Sequence, residues 1–482
     1  MQSLSNRPIT QHYKMKNYIP FKLVIALLLI SQTAFSQQNK QPNFIIILAD
    51  DLGYGDLSSY GHPTIRTPNL DKMALEGTRF TQFYVAANVC SPSRAALLTG
   101  RLPIRNGVFG TNSANKVFFT NSTSGLPHRE TTIAKALKGK GYQTAIVGKW
   151  HLGSKPEFLP LSYGFDSYFG IPYSNDMGKE GPFASKDGKA FGAKNPPLPL
   201  YRNASVLETE PNQDLLTKRF TTEVTDLITK NKNKPFFIYY ASPFPHIPLH
   251  ASPDFAGKSK RGPYGDVVEE LDWSVGQILN KLKELKLEKN TFVVFLSDNG
   301  PWLIKNMIDE TGGSAGLLYE AKASTYEGGM RVPAIAWMPG TVKSQISSSV
   351  ATSMDLYPTI LQMAGAAAPK ETQLDGNNIS DILTGKADKS ADIVYYYDAN
   401  NLYAIRKGAF KAHFKTNASY SQKPAAEHNP PLLYNLEHDP SEKFEIGKNH
   451  PQVIAELNAA YEAHLKSVAP VEAELDKREA LK

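Results

Sequence analysis

Four stretches of the chain are apolar at nearly every position: NFIIILAD (43–50), YQTAIVGK (142–149), PFFIYYAS (235–242) and NTFVVFLSDN (290–299). A strand with one wet face alternates apolar and polar residues, so unbroken runs of this length predict strands covered on both sides. Other segments space their apolar residues as a helix does: ETTIAKALKGKG (130–141), DLLTKRFTTEVTDLITK (214–230) and YGDVVEELDWSVGQILNKLKELK (264–286). Buried strands alternating with amphipathic helices predict an α/β fold built on a largely parallel sheet with helices on both faces.

In sheets of this kind ligands bind beyond the carboxyl ends of the strands. There the pattern deposits Asp50 and Asp51, Lys149 and His151, His246, and Asp298 with Asn299. Taken singly, each reads as a solvated acid, a core histidine or a turn residue; their joint placement is the signal. Three carboxylates and an amide oxygen are hard ligands suited to Ca²⁺ or Mg²⁺ rather than zinc. Adjacent carboxylates raise each other's pKa unless a cation lies between them. Arg94, Lys149, His151, His246 and Lys322 would add positive charge around that metal, which suits a tetrahedral anion; sulfate and phosphate both fit. A histidine near a leaving group can supply its proton.

Composition adds limits. The chain has 482 residues, 41% apolar and 10% aromatic, an ordinary globular balance. Residues 1–36 read as a signal peptide, with Lys16 and Lys22 ahead of an apolar run from Leu23 to Ile30 and small residues near Ser36; Met15 is an alternative start. The run is too short to span a bilayer, so export to the periplasm or medium without a membrane anchor is expected. The leader carries Arg7, Lys14, Lys16 and Lys22 and no acids. Removing it takes the basic count from 53 to 49 against 46 acids, a net of +3 in place of +7. No dense basic run remains, which argues against a nucleic-acid partner. The length exceeds a usual single core, so two domains are expected. The segment 180–200, rich in Gly, Pro and Lys, reads as a long irregular loop.

Cys90 is the only cysteine, so no disulfide can form within the chain. A lone cysteine usually reads as a small buried hydrophobe. This one opens a helix-like run, SRAALLTG, where a thiolate is conceivable, yet soft sulfur is a poor partner for a hard cation. The stretch CSPSRAALLTGR (90–101) resembles the maturation signature of the type I, formylglycine-dependent sulfatases, in which a Cys-x-Pro-x-Arg cysteine is oxidised to Cα-formylglycine before folding. ILADDLGYGDLSSYG, TPNLDKMALEG, GKWHLG, LSYGFDSYFG, HIPLH, LSDNG and STYEGGMRVPAIAWMPG resemble further family blocks, in family order, from residue 43 to about 365.

The resemblance implies an alkaline-phosphatase-like α/β domain with a large, mixed, mostly parallel sheet. It also implies a smaller C-terminal α+β domain with an antiparallel sheet, for which 391–414 and 431–446 are strand-like. The expected division is a lead-in at 37–42, a catalytic domain at 43–370 and a second domain at 371–482. By the same resemblance Asp50, Asp51, Asp298 and Asn299 hold one divalent cation, usually calcium, with the modified Cys90 completing the shell through oxygen. Arg94, Lys149 and His151 hold and tune the formylglycine, and His246 and Lys322 meet the sulfate ester and its leaving oxygen. The implied reaction is attack of an aldehyde-hydrate hydroxyl on sulfur, with His246 protonating the leaving group and His151 helping sulfate depart. The implied partners are a sulfated carbohydrate, of the galactose or N-acetylgalactosamine type, and a formylglycine-generating or anaerobic sulfatase-maturating enzyme. A phosphate or phosphonate monoester hydrolase on the same scaffold and a non-catalytic sulfated-glycan binder are the alternatives. The leaving group is expected to be read by loops such as 111–128 and 176–205.

Overall fold

The computed structural model describes Pro8 and residues 41–482, apart from 113–114, 182–194, 304–311, 371, 388–392, 422, 470 and 481–482. The expected signal peptide lies outside the described residues, as does most of the 180–200 loop. Residues 41–482 form one compact unit.

Its large sheet has eleven strands. In chain order they are β1 (Asn43–Ala49), β2 (Thr78–Tyr84), β3 (Gln143–Gly148), β4 (Ser167–Gly170), β5 (Pro199–Arg202), β6 (Ser205–Thr209), β7 (Phe236–Ala241), β8 (Thr291–Ser297), β9 (Arg331–Trp337), β10 (Gln345–Ser347) and β11 (Ala351–Thr352). The spatial order is β10-β2-β9-β8-β1-β7-β3-β4-β5-β6, with β11 also on β2. The four apolar runs become the central parallel strands β8, β1, β7 and β3. β9 runs antiparallel to both β8 and β2, so the carboxyl end of β2 emerges on the same side as those of the central four.

The central strands are buried on both faces, and alternate residues feed two cores. Phe44, Ile46 and Leu48 of β1 pack with helices α2 (Cys90–Thr99), α3 (Ile133–Lys138) and α6 (Leu356–Met363). Ile45, Ile47 and Ala49 face α1 (Pro68–Glu76), α4 (Leu216–Lys230) and α5 (Pro263–Glu284). This two-sided cover is why the runs show no alternation. Gly148 ends β3 at φ 104, and a Cβ there would lie 2.0 Å from the Ala241 carbonyl of β7. Glycine alone allows this close approach, and it turns the chain so that Lys149 leaves the sheet at the site end.

A second sheet is antiparallel: β12 (Ile393–Asp398), β13 (Asn401–Lys407), β14 (Phe410–Thr416) and β15 (Ala426–Asn435). Helix α7 (Pro451–Ser467) covers it, and Leu402, Ile405, Ala412, Leu433 and Leu457 form its core together with Ala96 of α2. Here the reading of 431–446 as strand is corrected. The strand spans 426–435, and the chain beyond it is turned around Asp439, whose carboxylate accepts from the backbone N–H groups of Lys443 and Phe444. That local side-chain capping competes with a ladder. Among the described residues no helix is long and apolar enough to cross a membrane.

Candidate active site

The carboxyl ends of β1, β2, β3, β7 and β8, with the segment entering β9, converge on the floor of a cavity of about 530 Å³. Asp50 and Asp51 follow β1, Lys149 and His151 follow β3, His246 follows β7, and Asp298 and Asn299 follow β8. β2 leads into α2, which opens on Cys90. Lys322 precedes β9, its N–H donating to Pro301 O at 3.0 Å. All ten predicted site residues are thus brought together, and all are buried. The backbone is strained where it aims them: Asp51 has φ 63 and His151 φ 59, and Glu320 and Ala323, flanking Lys322, have φ 60 and 65. Left-handed conformations cost non-glycine residues about 1–3 kcal/mol each, which the packed surroundings must offset.

The charges interlock. Arg94 lies beneath the floor rather than on the cavity wall, its Nε 2.9 Å and its Nη2 2.8 Å from Asp298 Oδ2, with Nη2 3.4 Å from Asp50 and Nη1 donating to Lys149 O. Lys149 Nζ donates to Asp50 Oδ2 and, at 3.1 Å, to Ser174 Oγ. Lys322 Nζ lies 2.7 Å from Asp51 Oδ1, which also accepts from Asn299 Nδ2 at 2.7 Å. Burial opposes ionisation of Asp50, but the Lys149 and Arg94 charges hold its carboxyl far below the usual range. Burial, followed by the Asp50 charge, pushes the Asp298 carboxyl up. The Lys322 ammonium loses by burial but gains more from Asp51, and its pKa is raised. Burial raises the Cys90 thiol against the pull of Lys149 and Lys322.

The two histidines are held differently. His151 Nε2 is 2.9 Å from Phe118 O, so that nitrogen carries the proton and Nδ1, without a hydrogen-bond partner, presents a lone pair. Burial, with Lys149 and Arg94 close by, keeps its pKa well below the ordinary value, so the ring is neutral. His246 is held through its other nitrogen: Nδ1 donates to Ile247 O at 2.6 Å, leaving Nε2 near Ser174 Oγ (3.5 Å) and Asp51 Oδ2 (3.6 Å).

Asp50, Cys90 and Asp298 place ligand atoms within 4.8 Å of one another. Asp50 Oδ1 and Asn299 Oδ1 are buried acceptors without a partner. Orphaned buried oxygens are rare, and hard oxygens gathered on one point fit a calcium- or magnesium-type cation.

The sulfatase family model matches residues 42–366, and a model of the C-terminal region of aryl-sulfatase matches 389–482. The chain belongs to the sulfatase family. Arylsulfatase A of Bos taurus is 41% identical over 435 residues, covering 84% of this chain and 83% of the relative. Human N-acetylgalactosamine-6-sulfatase is 38% identical over 472 residues, covering 90% and 88%. Among solved structures, the PsFucS1 sulfatase from Pseudoalteromonas sp. aligns with TM-score 0.80 at 26% identity, over 94% of this chain and 96% of that one. The fold is accordingly the alkaline-phosphatase-like sulfatase fold with a separate antiparallel C-terminal sheet, and this sulfatase is a hydrolase of sulfate esters.

Sequence reasoning missed Ser174, which bridges Lys149 and His246. It lies just past β4, which is parallel to β3, so the strand-end rule applied to that four-residue strand would have found it. The sulfatase cavity also has a wall from the C-terminal sheet, including Asn417, Tyr420 and Lys423 from the β14–β15 connection. No local pattern in the sequence announces that contact.

Proposed function

We propose that the protein is an exported carbohydrate sulfatase, matured at Cys90 and loaded with calcium or magnesium, that releases inorganic sulfate from sulfated galactose- or N-acetylgalactosamine-type sugars. The observation that carries this reading is the pair of orphaned oxygens, Asp50 Oδ1 and Asn299 Oδ1, with Asp50 grouped with Asp298 and Cys90 beneath a cavity lined by Cys90, Lys322, His246 and His151. Asp50, Asp51, Asp298 and Asn299 would hold the cation, with position 90 adjoining. When present, the cation supplies Lewis acidity and the Cys90-derived formylglycine supplies a hydrated aldehyde as nucleophile.

The chain's own groups do the rest. Lys149 and Lys322 place ammonium groups where sulfuryl oxygens gather charge. Arg94, tied to Asp298 and Asp50, orients carboxylates from behind rather than clamping substrate. His246 Nε2 faces the cavity with Nδ1–H already committed, and as imidazolium it gives its proton to the departing sugar oxygen. His151, neutral with a bare Nδ1, is the acceptor for a proton leaving position 90. The buried, protonated thiol is a poor nucleophile as it stands, which favours maturation over plain thiol chemistry. The relatives' names, arylsulfatase A and N-acetylgalactosamine-6-sulfatase, support the ester class and the sugar type.

The test is a matched panel of sulfated monosaccharides, aryl sulfate and aryl phosphate, run on wild type and Cys90→Ser. Wild type should turn over galactose-type sulfates and strongly prefer aryl sulfate to aryl phosphate. The serine variant lacks the second hydroxyl needed to expel sulfate, so it should stop after at most one turnover with sulfate retained on the protein. Sustained turnover by that variant, or a preference for phosphate, overturns the reading.

A further inference from the structure

Above the catalytic floor, three side chains that the chemistry does not use face the same cavity: Trp302, Tyr420 and Asp176. They come from three separate parts of the chain. Trp302 follows Asp298 and Asn299 on the exit from β8. Tyr420 comes from the β14–β15 connection of the C-terminal sheet. Asp176 lies in the short turn Asn175–Met177, just after Ser174.

Tyr420 is held at φ 51, in the left-handed region that bulky residues avoid. Its loop is fixed just ahead of the tyrosine. Ser419 N–H donates to Glu320 Oε2 at 2.9 Å and Ser419 Oγ to Lys322 O, while Ser324 Oγ donates to Asn417 O at 3.2 Å. The loop is thus fastened to the segment that carries Lys322, and the strain serves to point one aromatic ring into the cavity. That ring meets Trp302 at 4.8 Å between centroids and 55° between planes, making an angled aromatic corner. Lys322 Nζ lies 5.6 Å above the indole, and the His246 ring is 6.2 Å from it, so the corner adjoins the groups that meet the leaving oxygen.

Asp176 supplies the polar counterpart. Its Oδ1 is buried without a hydrogen-bond partner. The turn is pinned by Asn175 Nδ2, which donates to Gln213 Oε1 at 3.1 Å and to Pro248 O at 3.2 Å, so the acid cannot easily swing away. A buried acceptor left empty in the free protein is costly unless a ligand fills it.

We infer that Trp302, Tyr420 and Asp176 form the subsite that selects the leaving group: the ring of the sulfated sugar packs its C–H face against the Trp302–Tyr420 corner, and one of its free hydroxyls donates to Asp176. This rests on the carbohydrate reading above and goes beyond it by assigning the residues that recognise the sugar. Aromatic faces take up the apolar side of a pyranose, and a site built to accept a hydroxyl rejects ligands that lack one far more strongly than a purely apolar pocket can. A galactose-type ring suits this corner because its axial O4 leaves the opposite face with contiguous C–H groups.

The experiment compares kcat/KM for the best sugar sulfate of the panel with that for 4-nitrophenyl sulfate, which offers an aromatic ring but no hydroxyl donor. Asp176→Ala, which removes the acceptor, should lower the sugar-to-aryl ratio at least tenfold. Tyr420→Asn removes the ring but tolerates the left-handed backbone. It should raise KM for the sugar at least tenfold, shift the inhibition constant of inorganic sulfate less than threefold, and leave the melting temperature unchanged or higher. A merely structural role for Tyr420 would instead lower the melting temperature and weaken sugar and sulfate alike, and that result overturns the assignment. So does a sugar-to-aryl ratio unmoved by Asp176→Ala in an enzyme active on sugars. A wild type idle on every sugar sulfate yet active on the aryl ester overturns the carbohydrate reading, and this subsite with it.

Discussion

Two buried charge clusters sit at opposite sides of the segment 320–331, built from similar residues for different ends. One is the cavity floor. The other joins the two sheets around Glu327. There Oε1 accepts from Tyr396 Oη (2.9 Å) and Lys411 Nζ (3.0 Å), and Oε2 accepts from Tyr84 Oη (2.7 Å). Lys411 also pairs with Glu442 at 2.9 Å; the other Glu442 oxygen takes the backbone N–H of Glu327, and His413 Nε2 lies 2.6 Å from the first. Every carboxylate oxygen of Glu327 and Glu442 has a donor. On the floor, by contrast, Asp50 Oδ1, Asn299 Oδ1 and His151 Nδ1 have none, and a cavity opens beside them. Burial, charge and an unpartnered histidine nitrogen (His151 Nδ1 on the floor, His413 Nδ1 between the sheets) are common to both; unpartnered carboxylate and amide oxygens are what set the floor apart.

The clusters should break in different currencies. On the floor, His246→Ala should cost roughly 10²–10⁴ in kcat on sugar sulfates, less on aryl sulfates whose phenolate departs without a proton, with unfolding unchanged. Between the sheets, Glu327→Gln leaves Lys411 and Arg331 short of a counter-charge and should cost about 3–5 kcal/mol of stability by denaturant titration. Activity should fall with it only through lost folded protein and a displaced Lys322 segment, and an unaffected midpoint would refute the structural role.

The inter-sheet cluster also predicts an acid limit. Burial alone would raise the Glu327 carboxyl, but Lys411, then Arg331 and Arg406, bring it from 4.5 down to about 2. Its folded pKa is depressed, so its contribution is fully present above pH 4.5 and is lost as pH falls towards 2. This amounts to about 3 kcal/mol across that window. Glu327→Gln should flatten the fall in stability between those values. The smallest stability effect expected belongs to the floor: chelation should abolish turnover yet cost only about 2 kcal/mol in apparent stability, the linkage due to one cation held at some tens of times its dissociation constant.

Most of the floor was legible in the sequence because Asp50, Asp51, Lys149, His151, His246, Asp298 and Asn299 each follow a strand that announces itself, whereas Cys90 and Arg94 lie on α2 after the mixed-polarity β2 and Lys322 precedes β9. IIIL before Asp50-Asp51 and FVVFLS before Asp298-Asn299 are buried on both faces, and position past a strand end does the rest. The inter-sheet cluster was not legible. Glu327, Lys411 and Glu442 are ordinary surface residue types in a one-turn helix, a strand and an irregular segment, and only long-range packing buries them. Tyr420 escaped for the same reason, since nothing near it in the chain marks a left-handed tyrosine docked on Lys322. The turn after β15 was misread because Phe444 and Ile446 resume a strand-like alternation beyond the polar run 437–443, where the Asp439 carboxylate diverts the backbone from a ladder.

If the proposed maturation is right, the group at position 90 is no longer a thiol when the enzyme works. The direct measurement is the mass of the peptide spanning residue 90, taken from active protein made in its own host. The peptide should have lost sulfur and two hydrogens and gained one oxygen, in an amount that tracks specific activity. A fully active preparation in which that peptide keeps its cysteine would contradict the proposed maturation.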